Sequence, residues 1–343
     1  MKKIIFLRTN PKATGGAERY LIRLKNALEG SNISSEIRSF KGSQKLSSWL
    51  KALKFNAQVK NEKKDDEIYF SLERVTSADI YRAGDGVHKV YRSLKPFWFF
   101  NPLNFVYVYL EKKCFLNSKS IIANSNLIKQ QIIDTYGIDK DKITTIYNGI
   151  NLPTKVEKGS AKMRLCEKFG LNYELPILLF VGSGFKRKGV SEFLNIVSNI
   201  SLTINTIIVG SDKNIKKYKN LAKKLGIDAI FTGKQRVVND FYEGADVFIF
   251  PTHYEPFSNV ILEALSYGCV CITTKQNGAS EILDKDFIMD NPKSFEIANF
   301  IEKILRDSKL LSKIQASNLE LSKKFSIEDN AKKTMEIINA HTN

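Results

Sequence analysis

The sequence has little cysteine and no long apolar run, and each absence narrows what the chain can be. Its four cysteines (Cys114, Cys166, Cys269, Cys271) form no CxxC pair and no disulfide framework, which suits a reducing cytoplasm. No stretch approaches the roughly 20 continuous apolar residues of a membrane span. The opening run Ile4-Ile5-Phe6-Leu7 stops at Arg8, too short for the core of a signal peptide, and reads as a first buried strand. Short-period repeats and low-complexity tails are also missing.

What is present is a rhythm of strand, turn and helix. Short apolar runs recur at Lys3–Leu7, Ile68–Ser71, Ser120–Ala123, Ile177–Val181, Thr206–Val209, Ala229–Phe231, Val247–Phe250 and Val270–Thr273. They are continuous and β-branched rather than alternating, as parallel strands covered on both faces require. Helical patterns lie between them, at Ala17–Leu28, Tyr218–Leu225 and Asn259–Tyr267. The 343 residues exceed an ordinary single domain, and the rhythm restarts halfway. We therefore expect α/β architecture with two doubly wound parallel sheets. The expected divisions are 1–155, 156–325 and a last helical segment, 326–343, free to pack on either domain; Asn148-Gly149 supplies the turn signal at the first boundary.

The charge is lopsided. Of the net +17, residues 1–155 carry +13 and the remainder +4. The first domain is thus expected to face something anionic, unless the excess serves solubility alone. Nucleic acid is not expected, because no RNP, KH or helix-turn-helix pattern accompanies the charge; a basic nucleic-acid-binding α/β protein is a remote alternative. Asp65-Asp66-Glu67 reads as a solvated charge run rather than a metal site, and no metal or resident cofactor is expected.

Three loops carry candidate chemistry. Gly15-Gly16 opens the first helix, where missing Cβ atoms let backbone approach a phosphate; a purely structural turn is the alternative. The third glycine of the dinucleotide fingerprint is absent. Gly182-Ser183-Gly184-Phe185-Lys186-Arg187-Lys188-Gly189 places three consecutive cations at a strand's carboxyl end, where a ligand phosphate is the physical expectation beside an exposed basic turn. In Pro251-Thr252-His253-Tyr254-Glu255-Pro256-Phe257-Ser258-Asn259-Val260, a buried strand ends, a loop carries Glu255, and a helix begins. That helix would aim the amides of Phe257, Ser258, Asn259 and Val260 at an anion, with Glu263 just over one turn in. Glu255 and Glu263 would suit sugar hydroxyls, which donate hydrogen bonds to carboxylates.

The spacing Glu255-x7-Glu263, with Ala264-Leu265-Ser266-Tyr267-Gly268 after it and Asp246-Val247-Phe248-Ile249-Phe250-Pro251 before it, resembles the signature of retaining GT-B glycosyltransferases of the family 4 type. Gly182-Ser183 with Arg187-Lys188-Gly189-Val190, and the stretch Asp79-Ile80-Tyr81 to Asp85, resemble more closely the lipopolysaccharide inner-core α-glucosyltransferases. The resemblance implies two Rossmann-like domains facing across a cleft, a UDP-sugar donor with UDP-glucose favoured, retention of configuration, and metal-free action. It implies that Glu255 binds donor-sugar hydroxyls and Glu263 the ribose. It also implies that Arg187 and Lys188 neutralise the diphosphate with Gly16, and that Lys234 and Gln235 lie by the uracil. Ser183 stands where many relatives have arginine, and Ser258 where glycine is common. A capsule, O-antigen or other lipid-linked glycan is the alternative acceptor.

On the acceptor side, Asp85 is expected to hold a sugar hydroxyl and His88 to donate to the transferring sugar, unless either is a satisfied turn residue. Beyond them, aromatic residues interleave with Arg92, Lys95, Lys112 and Lys113 around Trp98. Such a segment suits the headgroup boundary of an anionic bilayer, or else covers the sheet. With the resemblance, this implies peripheral attachment to the cytoplasmic face of the inner membrane, where a lipid-linked or phosphorylated glycan acceptor would be met.

Overall fold

The computed structural model describes residues 3–10, 20–22, 24–26 and 34–341, and these form two units: Met1–Gly149 with Ile327–Asn343, and Ile150–Ser326. The first division falls six residues before the expected one; the polar segment after Ile150 belongs wholly to the second unit. Helix Ile327–Asn339 contributes Ala331 and Ile338 to the first unit's core.

The first unit holds a parallel sheet of β1 (Lys3–Leu7), β2 (Ser35–Arg38), β3 (Glu67–Ser71), β4 (Ile80–Ala83), β5 (Ser120–Ala123) and β6 (Ile143–Thr145), in the order β2-β1-β3-β4-β5-β6. Side chains leave a strand to opposite faces in turn, so both faces need cover. Ile4 and Phe6 join Ile68, Phe70 and Ile122 in one cluster, whereas Ile5 and Leu7 join Tyr69, Phe55 and Val59 in another. That division is the physical reason the strands carry no polar alternation.

The second unit repeats the plan with β7 (Ile177–Val181), β8 (Asn205–Val209), β9 (Ala229–Gly233), β10 (Val247–Phe250), β11 (Val270–Thr274) and β12 (Ile288–Met289), ordered β12-β11-β10-β7-β8-β9 and all parallel. Its order reverses beside β7, so the loops after β7 and β10 leave the sheet at the switch point where such folds hold ligands.

Glu67 corrects the reading of Asp65-Asp66-Glu67 as a solvated run. It is the first residue of β3, buried, with its carboxylate gripped by both terminal nitrogens of Arg38 at 2.9 and 3.2 Å. The paired guanidinium offsets its burial, and only Asp65 and Asp66 face solvent.

Candidate active site

In the second unit, chain geometry knits the two candidate loops together. Gly189 has φ +84°, and a Cβ there would lie 1.9 Å from the carbonyl oxygen of Pro251, so only glycine lets these loops touch. Contact is reinforced at Arg187, whose carbonyl accepts from the His253 amide at 2.9 Å and the Thr252 hydroxyl at 3.1 Å. A Cβ on Gly182 would meet the Lys188 side chain at 2.7 Å, which places that lysine across the end of β7. Its ammonium sits 5.3 Å from the Phe250 ring.

This framework brings Arg187 and Glu255 together. The guanidinium donates to the Glu255 carboxylate at 2.5 Å and to the Tyr254 carbonyl at 2.8 Å. Both side chains keep contact with solvent. Glu255 itself is fixed through backbone: its amide donates to the Gln276 carbonyl at 3.0 Å, and its carbonyl accepts from the Gly278 amide at 2.9 Å.

Helix Asn259–Ser266 begins at the buried Ser258. The hub of that turn is Asn277, fully buried, which the sequence reading missed. Its amide nitrogen donates to the hydroxyls of Ser258 at 2.7 Å and Thr273 at 3.0 Å. Its oxygen accepts from the amides of Ser258 at 3.3 Å and Ala279 at 3.1 Å. The Ser258 amide is therefore turned towards Asn277, which corrects its expected place among the anion-facing amides of Phe257, Asn259 and Val260. The signal available was Asn277-Gly278, a turn dipeptide soon after a buried strand.

Glu263 is half-buried and accepts from the Tyr242 hydroxyl at 3.1 Å; burial beside that carboxylate raises the tyrosine well above its ordinary range. Lys234 is exposed just beyond β9, and the Gln235 side chain folds back to the Thr232 carbonyl at 2.8 Å. Gly15 and Gly16 lie outside the described residues.

In the first unit, Asp85 is exposed on the loop after β4, 4.0 Å from Arg74. His88 opens helix His88–Ser93. It is buried, its Nε2 lies 2.9 Å from the Asn104 side-chain oxygen, and its ring packs edge-on against Tyr107. Burial, followed by the neighbouring Arg74 charge, lowers its pKa. The His88 backbone is fixed in place. The reason is Glu111, completely buried, whose carboxylate takes the His88 amide at 2.7 Å, the Lys89 amide at 3.2 Å, Arg74 Nε at 2.9 Å and the Tyr136 hydroxyl at 2.7 Å. Two of those donors open helix His88–Ser93, so the carboxylate also meets the positive end of a helix.

The aromatic-basic segment is buried at Leu110 and Glu111 but leaves several of its rings open to solvent. Phe97 and Phe100 are 69% and 76% exposed, and Phe99, Phe105 and Tyr109 are also exposed. Phe97 takes the left-handed conformation (φ 59°) that turns the chain into the short helix Trp98–Phe100. Arg92 lies over Trp98 at 3.9 Å and Lys95 over Tyr91 at 4.2 Å, while Lys112 and Lys113 are exposed on helix Pro102–Asn117. No helix among the described residues is long and apolar enough to cross a membrane.

Residues 163–319 match the family described as glycosyl transferases group 1, and residues 82–153 match glycosyltransferase family 4. An uncharacterized glycosyltransferase of Methanocaldococcus jannaschii is 26% identical over 233 residues, covering 64% of this chain and 60% of that protein. The lipopolysaccharide glucosyltransferase WaaG of Escherichia coli is 35% identical over 115 residues, 32% of this chain and 30% of that protein. The capsular polysaccharide biosynthesis glycosyltransferase CapM of Staphylococcus aureus is 28% identical over 217 residues, 60% of this chain and 57% of that protein. The matched regions thus span less than two thirds of these curated relatives. Solved structures align along nearly the whole chain. A crystal structure of WaaG superposes with a TM-score of 0.81 at 18% identity, covering 98% of this chain and 99% of that one. Anabaena Alr3699/HepE, in complex with UDP and glucose, superposes with a TM-score of 0.76 at 20% identity, covering 99% and 100%. The fold is that of GT-B structures, two stretches of the chain match glycosyltransferase family models, and the chain resembles the lipopolysaccharide core glucosyltransferases.

Proposed function

We propose that the chain transfers a hexose from a UDP-sugar, UDP-glucose first among them, to a lipopolysaccharide or lipooligosaccharide core acceptor with retention of configuration. The observation that carries the reading is the Arg187–Glu255 pair, held between the loops after β7 and β10 at the switch point of the second sheet. As the nucleotide diphosphate departs, negative charge grows on its phosphate while the sugar gains oxocarbenium character. A preorganised donor aimed at that charge is typically worth ~3 kcal/mol of barrier. Arg187 and Lys188 fill this role, with the Asn259 and Val260 amides beside them, and we assign the neutralisation to these groups rather than to a metal. A diphosphate entering the site competes with Glu255 for the guanidinium and frees that carboxylate for sugar hydroxyls. Glu263 serves the ribose, and the departing phosphate oxygen takes the acceptor's proton, so no separate base is assigned.

The exposed rings of Phe97, Phe99 and Phe100, flanked by Lys95, Lys112 and Lys113, support peripheral attachment at an anionic bilayer on the cytoplasmic face. The capsular relative keeps a capsule or other lipid-linked glycan as the second reading of the acceptor.

The test is a panel of UDP- and GDP-sugars assayed for binding and hydrolysis on the full chain and on Glu255→Ala. The variant is expected to lose discrimination among sugars while UDP affinity stays within about threefold (under ~0.7 kcal/mol). Equal loss of both removes Glu255 from the sugar, and a donor preference for GDP-sugars removes the uridine reading.

A further inference from the structure

We propose that Asn277 is a positioning residue for the transfer reaction, the centre of a buried polar frame that holds the Arg187–Glu255 pair and the start of helix Asn259–Ser266 in one register. This rests on the glycosyltransferase reading above and names a group behind that site, one that touches no substrate. The Asn277 side-chain amide is fully used. Its nitrogen donates to the Ser258 and Thr273 hydroxyls, and its oxygen accepts from the Ser258 and Ala279 amides. Thr273 dictates which way the amide faces, because that hydroxyl donates its single proton to the Phe250 carbonyl at 2.8 Å and can only accept from position 277.

The frame reaches the loops after β7, β10 and β11. Backbone on either side of Asn277 grips Glu255 in a parallel bridge, through the Gln276 carbonyl and the Gly278 amide. The Asn277 side chain holds Ser258, so one residue pins both ends of the segment Glu255-Pro256-Phe257-Ser258. At the end of β11 the Thr274 hydroxyl donates to the Thr252 carbonyl at 2.7 Å, and the Thr252 hydroxyl donates in turn to the Arg187 carbonyl at 3.1 Å. Thr252, Thr273, Thr274 and Asn277 have no exposed surface, and Ser258 is also buried. Such a network holds one geometry, since breaking any bond strands a buried donor or acceptor. The helix does not depend on it, because Ile261, Leu262 and Leu265 anchor it in the core. Loss of Asn277 therefore loosens the segment that carries Glu255 while Glu263 stays in place. The effect falls on rate and not on nucleotide binding, and a misplacement of about 1 Å costs on the order of 10²-fold.

Turnover of UDP-glucose by the full chain, Asn277→Ala and Asn277→Asp tests this, with calorimetry against UDP counting the intact sites. Asn277→Ala is expected to lower kcat about 10²-fold, with KM and UDP stoichiometry within about threefold of the full chain. Asn277→Asp keeps the accepting oxygen but turns a second acceptor on Thr273, and its kcat is expected to lie between the two. A role confined to folding would lower kcat only in proportion to UDP stoichiometry, and that result overturns the inference. So does a kcat within about threefold of the full chain in both variants, or a KM raised as far as kcat is lowered. If the panel above gives another nucleotide sugar as donor, the same ratios are taken with it and the uridine reading alone fails. If no donor is turned over, the functional reading fails and amide hydrogen exchange decides the frame. The Glu255 and Gly278 amides should then exchange roughly tenfold faster or more in Asn277→Ala, and unchanged rates overturn the inference.

Discussion

An arginine–glutamate pair stands beyond the strand ends in each unit, and the two pairs differ in nearly everything except composition. Arg187 and Glu255 keep 35% and 18% of their side-chain surface and share their contact with one backbone carbonyl. Arg74 and Glu111 keep 8% and none, and Glu111 has four donors. A wet pair can exchange its partner for a ligand at little cost, whereas a dry one cannot, since each charge released stays buried. The first arrangement is suited to chemistry and the second to holding the fold in place. His88 belongs with the second because its amide is one of the four donors.

The comparison breaks first at the open pair. Replacing Arg187 and Lys188 by alanine is expected to lower turnover at least ~10³-fold, two donors at ~3 kcal/mol each being the upper bound, while the melting temperature moves little. Turnover followed by UDP release checks this, and an unchanged rate would erase the distinction between the pairs. At the closed pair the effect belongs to stability. Glu111→Ala leaves Arg74 buried without its main partner and is expected to cost about 3–5 kcal/mol in urea unfolding.

A third measurement concerns the other charged surface of the first unit. Alanine at Lys95, Lys112 and Lys113 is expected to weaken sedimentation with anionic phosphatidylglycerol vesicles by ~10²-fold, at about 1 kcal/mol per cation. Binding to neutral phosphatidylcholine should change little, and equal loss on both would leave attachment to the rings alone.

The smallest effect is the sharpest on His88. Its depressed folded pKa means that the unfolded chain binds the proton more readily, so stability is full above the ordinary histidine range near 6.5 and falls as pH drops through the folded value. His341 is displaced in the same direction, by burial first and then by Lys119. In a His341→Asn background, His88→Asn should flatten the loss of stability between pH 7 and 5, a slope of at most about 1.4 kcal/mol per pH unit. An unchanged slope would place the ring in water.

Much of the second unit was legible in the sequence. β7, β10 and helix Asn259–Ser266 lie where continuous apolar runs and turn residues put them, because strands covered on both faces leave no polar alternation to confuse the pattern. In the first unit β2, β4 and β6 were missed. Each is three or four residues long, and β4 carries Arg82, a buried cation whose partners are the Asn148 side chain and the Tyr20 ring. No local pattern announces a charge that is satisfied sixty-six residues away.

Sequence alone determined the parallel α/β plan and drew attention to Arg187, Lys188 and Glu255, since periodicity, glycine placement and the strand–loop–helix context are local properties of a chain. Tertiary structure decided which charges meet: that Arg187 pairs with Glu255, that Asn277 governs the turn before helix Asn259–Ser266, and that His88 is enclosed. The reason is that a charge acquires its role from the groups that replace its water, and those groups come from distant parts of the chain.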